Sequence, residues 1–598
     1  MSSTPEEKEF ITDENSSLNG FRWRLFSPDE RFVQTVCQKY DVPDIIARII
    51  NSRKISFENV ETYVSPQIKN LLPSPFILKD MDKAVDRIVR AIESGEAIGI
   101  FGDYDVDGAT SSAILYKFLY DVGVKNIQIF IPDRQNDGYG LNSEGLKKLM
   151  SAGCSLVVAV DCGITGFDAV DMANQMDLDI VIADHHEAEV GIPNAVAVVD
   201  PKRVDDSSGL TYLAACGVVF LLTVALNKTL RERGFYRNNG IEEPDLFSYL
   251  DLVALGTVCD VVPLVGVNRA FVSVGIKVMA RRQNIGLKSL CDVSGVSTSP
   301  SVYHLGYVLG PRINAGGRVG NSSIAAQLLT TRNPLTADSL AQKLNNFNLE
   351  RKDIEAAVLE QAFTKVASEI KPDDNFIFIS GKNWHTGVIG IIAGRLKERY
   401  NLPTCVATID DNGVANGSGR SIPEIDLGTA IIKAKELGIL TEGGGHSMAA
   451  GFTLNVEKID EFKKFLHDYI ESSTKSQKII PVLNIDSVID ITGINAELVK
   501  KLQILEPFGT SNEEPRFAIL NAKLTGSDAI GGGNIRCYFS SDNGKSISAI
   551  CYKSVDTPLG EVLLSEIGER FKLAGKIRFN SWNGKNYIQF IIDDVAKM

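Results

Sequence analysis

Residues 97–112 read AIGIFGDYDVDGATSS. An apolar run of strand length gives way to aspartates at every second position, Asp103, Asp105 and Asp107, closed by Gly108. Like charges at this spacing repel by roughly 1 kcal/mol per pair at about 4 Å in water, and by several times more where water is partly excluded. The stretch therefore implies a cation or proton nearby. D-x-D-x-D-G also opens an EF-hand calcium loop, which follows a helix and carries a bidentate Glu at its twelfth position. Counted from Asp103 the twelfth residue is Ile114, and what precedes is strand-like. Calcium is set aside and the acidic cluster kept.

Outward from this stretch, strand-length apolar runs alternate with helical patterns: NIQIFIPD (126–133), SLVVAVDCG (155–163), DIVIADHH (179–186) and AVAVVDP (195–201). Such βαβ alternation predicts a parallel sheet with helices on both faces. Every run ends in acid or imidazole: Asp103, Asp133, Asp161, Asp184 with His185 and His186, and Asp200. Ligands of open α/β sheets bind beyond the carboxyl ends of the strands, so these groups are expected on one rim. Asp133 and Asp200, each beside a Pro, also read as turn formers.

Further on, 210–300 is mainly helical, with Asp260 closing the apolar run of PDLFSYLDLVALGTVCDVVPL, and 322–371 reads as a long helical connector. A second α/β unit follows: FIFIS, a helix from about Val388 to Tyr400, a strand at PTCVATID, and the glycine-rich SGRS and EGGGHSMAAG, read as turns. After residue 477 short β-like runs between GGGN, SDNGK and SWNGK suggest a small barrel. There FKLAGKIRFNSWNGKNYIQF interleaves Lys572, Lys576, Arg578 and Lys585 with Phe571, Phe579, Trp582 and Tyr587. Aromatics beside cations suit single-stranded nucleic acid, although alternating aromatics also fill β cores.

With 598 residues the chain is long enough for several domains, and 44% hydrophobic and 23% charged residues are ordinary for a globular protein. Nine cysteines without a C-x-x-C pair indicate neither a disulfide framework nor a zinc knuckle. A reducing, cytoplasmic setting fits best. The polar, acidic start MSSTPEEKEFITDENSSLNG reads as a disordered tail, and the longest apolar run, 213–226, is too short to span a bilayer. A net charge of −13 argues against whole-surface nucleic-acid binding but leaves room for a basic groove.

GDYDVDG, DCG, DHH and Asp260, in this order and at these strand ends, resemble the four motifs of the DHH phosphoesterase superfamily. GPRINAGGR (310–318), NWHTGVIGIIAGRL (383–396), SGRS (418–421) and GGGHSMAAGF (443–452) bring the chain close to its single-stranded-DNA-specific exonucleases. The resemblance implies an α/β fold: a DHH-type parallel-sheet domain (81–310), a helical connector (311–372), a smaller DHH-associated α/β domain (373–476) and an OB-like β-barrel (477–598). A tail and N-terminal extension (1–40) and a small helical region (41–80) precede these.

The resemblance further implies two Mn²⁺ or Mg²⁺ ions, one held by Asp105 and Asp161 and the other by Asp107, Asp161, His185 and Asp260. Asp161 would bridge them, with Asp103 a further ligand or a supporting group. His186 would face the phosphate or complete a metal shell, making Asp105, Asp107, Asp161 and His186 the catalytic set, while Asp184 would orient a histidine. Related phosphatases carry a histidine two residues before the first aspartate, where this chain has Phe101. Arg312, Asn314 and Arg318, taken to lie in a turn between domains, would bind substrate together with His385, Arg420, Gly444, Gly445 and His446; His385 can equally cap the following helix. Gly443 to Gly445 can offer backbone amides to phosphate. Lys576, Arg578 and Trp582 would contact nucleic acid on the barrel. Cys162 and Cys259 read as small buried residues.

The activity implied is 5′-to-3′ hydrolysis of single-stranded DNA to 5′ mononucleotides in recombination and repair. Single-stranded DNA, a single-strand-binding protein and a repair helicase are the implied partners of a monomer that meets no membrane. One alternative is a DHH-family phosphodiesterase or pyrophosphatase acting on small nucleotides, which would lack the terminal barrel. The other is a non-catalytic DNA-binding scaffold, which would have lost motif acids; none is missing here.

Overall fold

The structure, a computed structural model, describes residues 9–12, 16–133, 140–188, 191–297, 299–371, 374–474, 480–582 and 585–598. It divides into two compact units, one of Pro73–Val262 with Val274–Ile479, the other of Met1–Leu72, Pro263–Ser273 and Ile480–Met598.

In the first of these units, β1 (Ala97–Gly102), β2 (Ile127–Phe130), β3 (Cys154–Val160), β4 (Asp179–Ala183) and β5 (Ala197–Val199) form a parallel sheet in the order β2-β1-β3-β4-β5. Helices α1 (Val106–Asp121), α2 (Ser143–Ser151) and α3 (Phe167–Gln175) alternate with the strands. Ile98, Ile100, Val157, Val158, Val181 and Ile182 are fully buried, the continuous apolar runs of a sheet covered on both faces. Strand order steps outward in both directions from the gap between β1 and β3, which is the topological switch point where such sheets bind ligands. Register pairs Gly102 with Val160, Val160 with Ala183, and Ala183 with Val199. The next residues, Asp103, Asp161, Asp184 and Asp200, thus end four neighbouring strands side by side.

Helices α4 (Ala215–Glu232) and α5 (Leu250–Cys259) pack on α1. Both are apolar nearly all round, as fully buried helices are, and α4 holds most of the run 213–226. Next come α6 (Gly310–Val319) and the 36-residue α7 (Pro334–Glu369).

The second sheet of this unit comprises β6 (Ile377–Lys382), β7 (Thr404–Ile409), β8 (Val414–Arg420), β9 (Glu442–His446) and β10 (Ala449–Asn455), ordered β9-β10-β8-β7-β6. Ile377 and Ile379 pack with Val388 and Ile392 of α8 (Thr386–Tyr400) on one face, while Phe378 packs with Ile431 of α9 (Leu427–Glu436) on the other, the two-residue alternation of a strand. SGRS and EGGGHSMAAG, expected as turns, largely form strands: Ser418–Arg420 end β8, and the glycines lie in β9 and β10. A Cβ on Gly417 would meet the Phe452 ring at 2.1 Å; the cross-strand ring covers the glycine and offsets its low strand propensity.

In the other unit, β11 (Phe517–Ile530), β12 (Asn534–Ser540), β13 (Ser546–Cys551), β14 (Arg570–Trp582) and β15 (Lys585–Lys597) run β11-β12-β13-β15-β14, and β14 pairs back to β11 to close a barrel. Its core is continuous with Val33, Ile46, Ile49 and Tyr63, so the helices before residue 72 and the barrel form one hydrophobic body. Part of the stretch whose polar composition suggests a tail is anchored there. Ser17 Oγ and Trp23 Nε1 donate to Asp594 Oδ2 at 2.5 and 2.7 Å, and Arg22–Leu25 pairs with Val482–Ile485. Polar composition misled because the segment is held by hydrogen bonds to one buried carboxylate and by strand pairing.

Candidate metal centre and adjoining cleft

Asp103 follows β1, and Asp105 caps α1 by accepting from the Gly108 amide at 3.0 Å. A Cβ on Gly108 would lie 2.4 Å from the Asp103 carbonyl oxygen, so only glycine lets the helix start this close to the strand end. Asp107, buried in the first turn of α1, is gripped from another helix: the Ala215 and Cys216 amides at the start of α4 donate to its two oxygens at 2.7 and 3.0 Å. These are donors a helix N-terminus leaves unpaired. Asp161 adopts φ 61° after β3, a left-handed turn that aspartate tolerates better than most residues. Asp260 caps the C-terminus of α5.

His185 carries the most informative geometry. Its Nδ1 lies 3.1 Å from the Leu213 carbonyl oxygen, which can only accept, so Nδ1 holds the hydrogen and Nε2 a lone pair. Nε2 faces Asp161 Oδ1 at 3.4 Å, Asp260 Oδ2 at 3.6 Å and Asp107 Oδ2 at 3.9 Å. Burial, then the neighbouring His186, push the imidazole down to about 3, so it is neutral at pH 7. Nε2 and Asp161 Oδ1 are both buried without a hydrogen-bond partner, as is Asp103 Oδ1. Such groups are costly unless positive charge lies between them.

The carboxylates respond as a crowded set. Burial, then Asp105, raise Asp103 well above the usual range and Asp107 to about 6; burial, then Asp107, raise Asp161 and Asp260. Asp184 behaves oppositely. Its Oδ1 accepts from the His185 amide at 2.8 Å and His186 Nδ1 at 2.7 Å, and its Oδ2 from the Ile164 amide at 3.0 Å. Burial alone would raise it, but His186 and these donors bring it down to about 2, and Asp184 in turn lifts His186, against burial, to about 9. Asp184 therefore uses both oxygens within the protein and fixes the His186 ring.

Three groups bring ligand atoms within 4.8 Å of one another: Asp103, Asp105 and Asp161; Asp107, His185 and Asp260; and Asp161, His185 and His186. Asp161 and His185 are each shared by two groups. Oxygen donors with one or two imidazoles suit Mn²⁺ or Mg²⁺, and the partnerless buried atoms mark where positive charge fits.

Arg312, Asn314 and Arg318 lie on the helix α6 rather than in a turn. The glycines of GPRINAGGR serve close packing: a Cβ on Gly310 would lie 2.5 Å from Cys259 Sγ, and one on Gly317 would lie 3.0 Å from the Tyr104 carbonyl oxygen. Helix α6 is thereby held against both the Asp260 end of α5 and the Asp103–Asp105 turn. Arg312 donates to Asn345 Oδ1 at 3.0 Å and the Val308 carbonyl at 2.6 Å, and Arg318 to the Gly387 carbonyl at 2.9 Å. His385 caps α8, accepting from the Gly387 amide at 3.0 Å. Arg420 donates to Ser418 Oγ at 3.0 Å. Gly444, Gly445 and His446 lie on the edge strand β9, where Gly445 and His446 line a cleft of about 440 Å³ with Glu187, Lys202, Asp426 and Thr429.

Cys162 is buried, and the Cys259 thiol donates to the Leu305 carbonyl at 3.4 Å. On the barrel Arg578 pairs with Glu514, Lys576 Nζ lies 4.0 Å from Asp593, and Lys572 donates to the Ile11 carbonyl at 3.0 Å. Phe571 is core. The side chains of Trp582 and Lys585 lie outside the described residues. Sequence reasoning did not find the grip of α4 on Asp107 or the role of the Leu213 carbonyl, because both are backbone groups brought in by packing. Nor did it settle Asp200, which is fully buried, accepts from the Lys202 amide at 2.8 Å, and is pushed up to about 7 by burial, then Asp184.

Comparison with known proteins places these features in one family. The family model described as "DHH family, N-terminal domain" matches residues 97–257, "DHHA1 domain" matches 373–472 and "RecJ OB domain" matches 485–594. The single-stranded-DNA-specific exonuclease RecJ of Dickeya dadantii is 32% identical over 535 residues, covering 86% of this chain and 90% of the relative. The Escherichia coli protein of the same name is 31% identical over 579 residues, covering 93% and 96%. The crystal structure of RecJ in complex with Mn²⁺ from Thermus thermophilus superposes with a TM-score of 0.79 at 26% identity, over 96% of this chain and 79% of that one. Identities of 31–32% over nine-tenths or more of these relatives' length, with the three domain matches in this chain, show that the chain belongs to the RecJ family.

Proposed function

We propose that the protein is a two-metal exonuclease that hydrolyses single-stranded DNA from its 5′ end to 5′ mononucleotides, in recombination and repair. The observation that carries the reading is the buried lone pair of His185 facing Asp107, Asp161 and Asp260, an arrangement that calls for a dication. Asp103, Asp105 and Asp161 would hold one ion, and Asp107, Asp161, His185 and Asp260 the other. Mn²⁺ or Mg²⁺ so bound would acidify a water and neutralise charge on the scissile phosphate.

The chain's own residues do the rest. The Leu213 carbonyl keeps the His185 lone pair on the metal side, and the α4 amides hold Asp107 in one orientation. Asp184 holds the proton on His186 Nδ1 and turns the ring, leaving its other edge to donate toward a phosphate oxygen. Arg312, Asn314, Arg318, Arg420, Gly444, Gly445 and His446 would guide the strand, and the barrel with Lys576, Arg578 and Trp582 would hold it further back. His385 contributes by capping α8 beside Arg318. The terminal barrel β11–β15 argues against a small-nucleotide phosphodiesterase. Among the described residues no helix is long and apolar enough to cross a membrane. A cytoplasmic monomer working with a single-strand-binding protein and a helicase completes the proposal, on family resemblance.

The test is digestion of end-labelled single strands, duplexes and dinucleotides with Mn²⁺ or Mg²⁺, comparing wild type with Asp161→Ala. Mononucleotide release from the 5′ end of single strands, absent in the variant, is expected. Equal attack on duplex, release from the 3′ end, or an active variant would overturn the corresponding part.

A further inference from the structure

Tyr303 and Tyr307 lie on the surface immediately before α6, 62% and 74% exposed. Their rings stack on each other, centroids 5.4 Å apart and 24° between planes. Tyr307 lies in a π-helical turn, His304–Leu309, and Tyr303 immediately precedes it; this conformation is rare in proteins and frequent at functional sites. A packed tyrosine buries roughly 150–250 Å², so two left side by side in water forgo a large apolar gain, and such patches mark contact surfaces.

The turn is fastened to the metal centre's own scaffold. The Cys259 thiol donates to the Leu305 carbonyl at 3.4 Å, and Gly306 faces Val258; the residue after Cys259 is Asp260. Val261, the next residue, is 65% exposed and takes φ 61°, which a β-branched side chain rarely adopts. Five residues after Tyr307, Arg312 donates only to neutral oxygens, Val308 O and Asn345 Oδ1, and among the described residues has no carboxylate partner. An exposed aromatic pair followed along the same helical segment by an uncompensated guanidinium supplies the two groups that hold single-stranded nucleic acid, rings for bases and a cation for phosphate.

We infer that Tyr303 and Tyr307 form a base-stacking platform on the Asp260 side of the metal centre, which grips the bases of the strand while Arg312 takes its backbone. The inference rests on the proposed single-strand activity. It adds residues that read bases rather than phosphates, and so a dependence of affinity on the presence of bases.

The test uses the full chain with Mn²⁺, oligo(dT), and an oligonucleotide of equal length built of abasic sites. Tyr303→Ala/Tyr307→Ala should raise KM for oligo(dT) at least about five-fold, the lower end of the value of one stacked base, with kcat and Tm unchanged and KM for the abasic strand unmoved. Tyr307→Trp should retain wild-type KM. A smaller rise, an equal rise on the abasic strand, or loss of a dimer in the double variant would overturn the platform, the last by making the patch a contact between copies. Failure of the wild type to degrade oligo(dT) would instead overturn the proposed function, and the platform with it.

Discussion

Gly108→Ala is the sharpest probe of the reading given to the acidic stretch. An added Cβ would lie 2.4, 2.6 and 2.7 Å from the carbonyl oxygen, carbonyl carbon and Cα of Asp103, where ordinary contact begins at 3.4 Å. Relief requires about 1 Å, the difference between 3.4 and 2.4 Å, and all three atoms are backbone, so the strand end and the helix start must part. Asp103 sits on one side of that gap, and Asp105 and Asp107 on the other. Overpacking costs about 1–3 kcal/mol, and the helix propensity of alanine over glycine returns about 1 kcal/mol, leaving a net loss of about 0–2 kcal/mol. A 1 Å misplacement of reacting groups can cost about 100-fold in rate. Activity should therefore fall far more than stability: kcat/KM on a single strand down about 100-fold, with a modest loss by urea unfolding. Gly394→Ala is the control, since a Cβ there meets nothing within 4 Å on α8, and it should leave the rate unchanged and stabilise slightly. A Gly108→Ala enzyme retaining more than a tenth of wild-type kcat/KM would refute the claim that this glycine sets the spacing of the three aspartates.

Further outcomes follow from the same geometry. Mn²⁺ at about a hundred times its dissociation constant should stabilise the protein by about 2.7 kcal/mol, seen as a rise in Tm that Asp161→Asn abolishes. In the metal-free protein Asp107, near 6, and His186, near 9, both have raised folded values. The stability each contributes is full below its unfolded value and lost as pH rises through the folded one; His185, pushed down to about 3, works the opposite way below about pH 6.5, so Tm should fall from about pH 6.5 to 9, and a metal-free Tm that climbs over that window would contradict this. Asp184→Asn should shrink the part lost between about pH 6.5 and 9, because His186 then loses the carboxylate that accepts from its Nδ1 and does most to raise it. Asp594→Ala leaves the buried Trp23 indole and Ser17 hydroxyl unpaired and should cost about 2–5 kcal/mol by denaturant unfolding, without altering metal binding.

What could be read from the residues was the set of groups carried on strand ends. A parallel strand buried on both faces leaves its carboxyl end as the first place a polar side chain can stand, so Asp103, Asp161 and His185 announced themselves by following apolar runs. Whatever depended on one backbone approaching another was not readable. GPRINAGGR suggests a turn because glycine disfavours helix, yet it is helix α6, its glycines packed on Cys259 and Tyr104. EGGGH likewise forms the strand β9, where cross-strand pairing overrides propensity. The N-terminal stretch looked like a tail because its anchor, Asp594, lies more than five hundred residues away in sequence.

The three aspartates of the opening stretch differ in how much of their charge the protein already meets. Asp107 receives two α4 amides and Asp105 the Gly108 amide, whereas Asp103 Oδ1 receives nothing and Asp161 Oδ1, across the switch point, receives nothing either. A buried carboxylate oxygen with a backbone donor tolerates its charge; an oxygen without one needs a cation or a proton. The unmet atoms therefore locate the missing charge: Asp103 and Asp161 on one side, Asp161 and His185 on the other, with Asp161 common to both. Asp161 is the one carboxylate common to two of the ligand groups, which supports the bridging role proposed for it. Its left-handed backbone, φ 61°, adds a second pointer to the same residue, since strained conformations gather where a side chain must be held in one place.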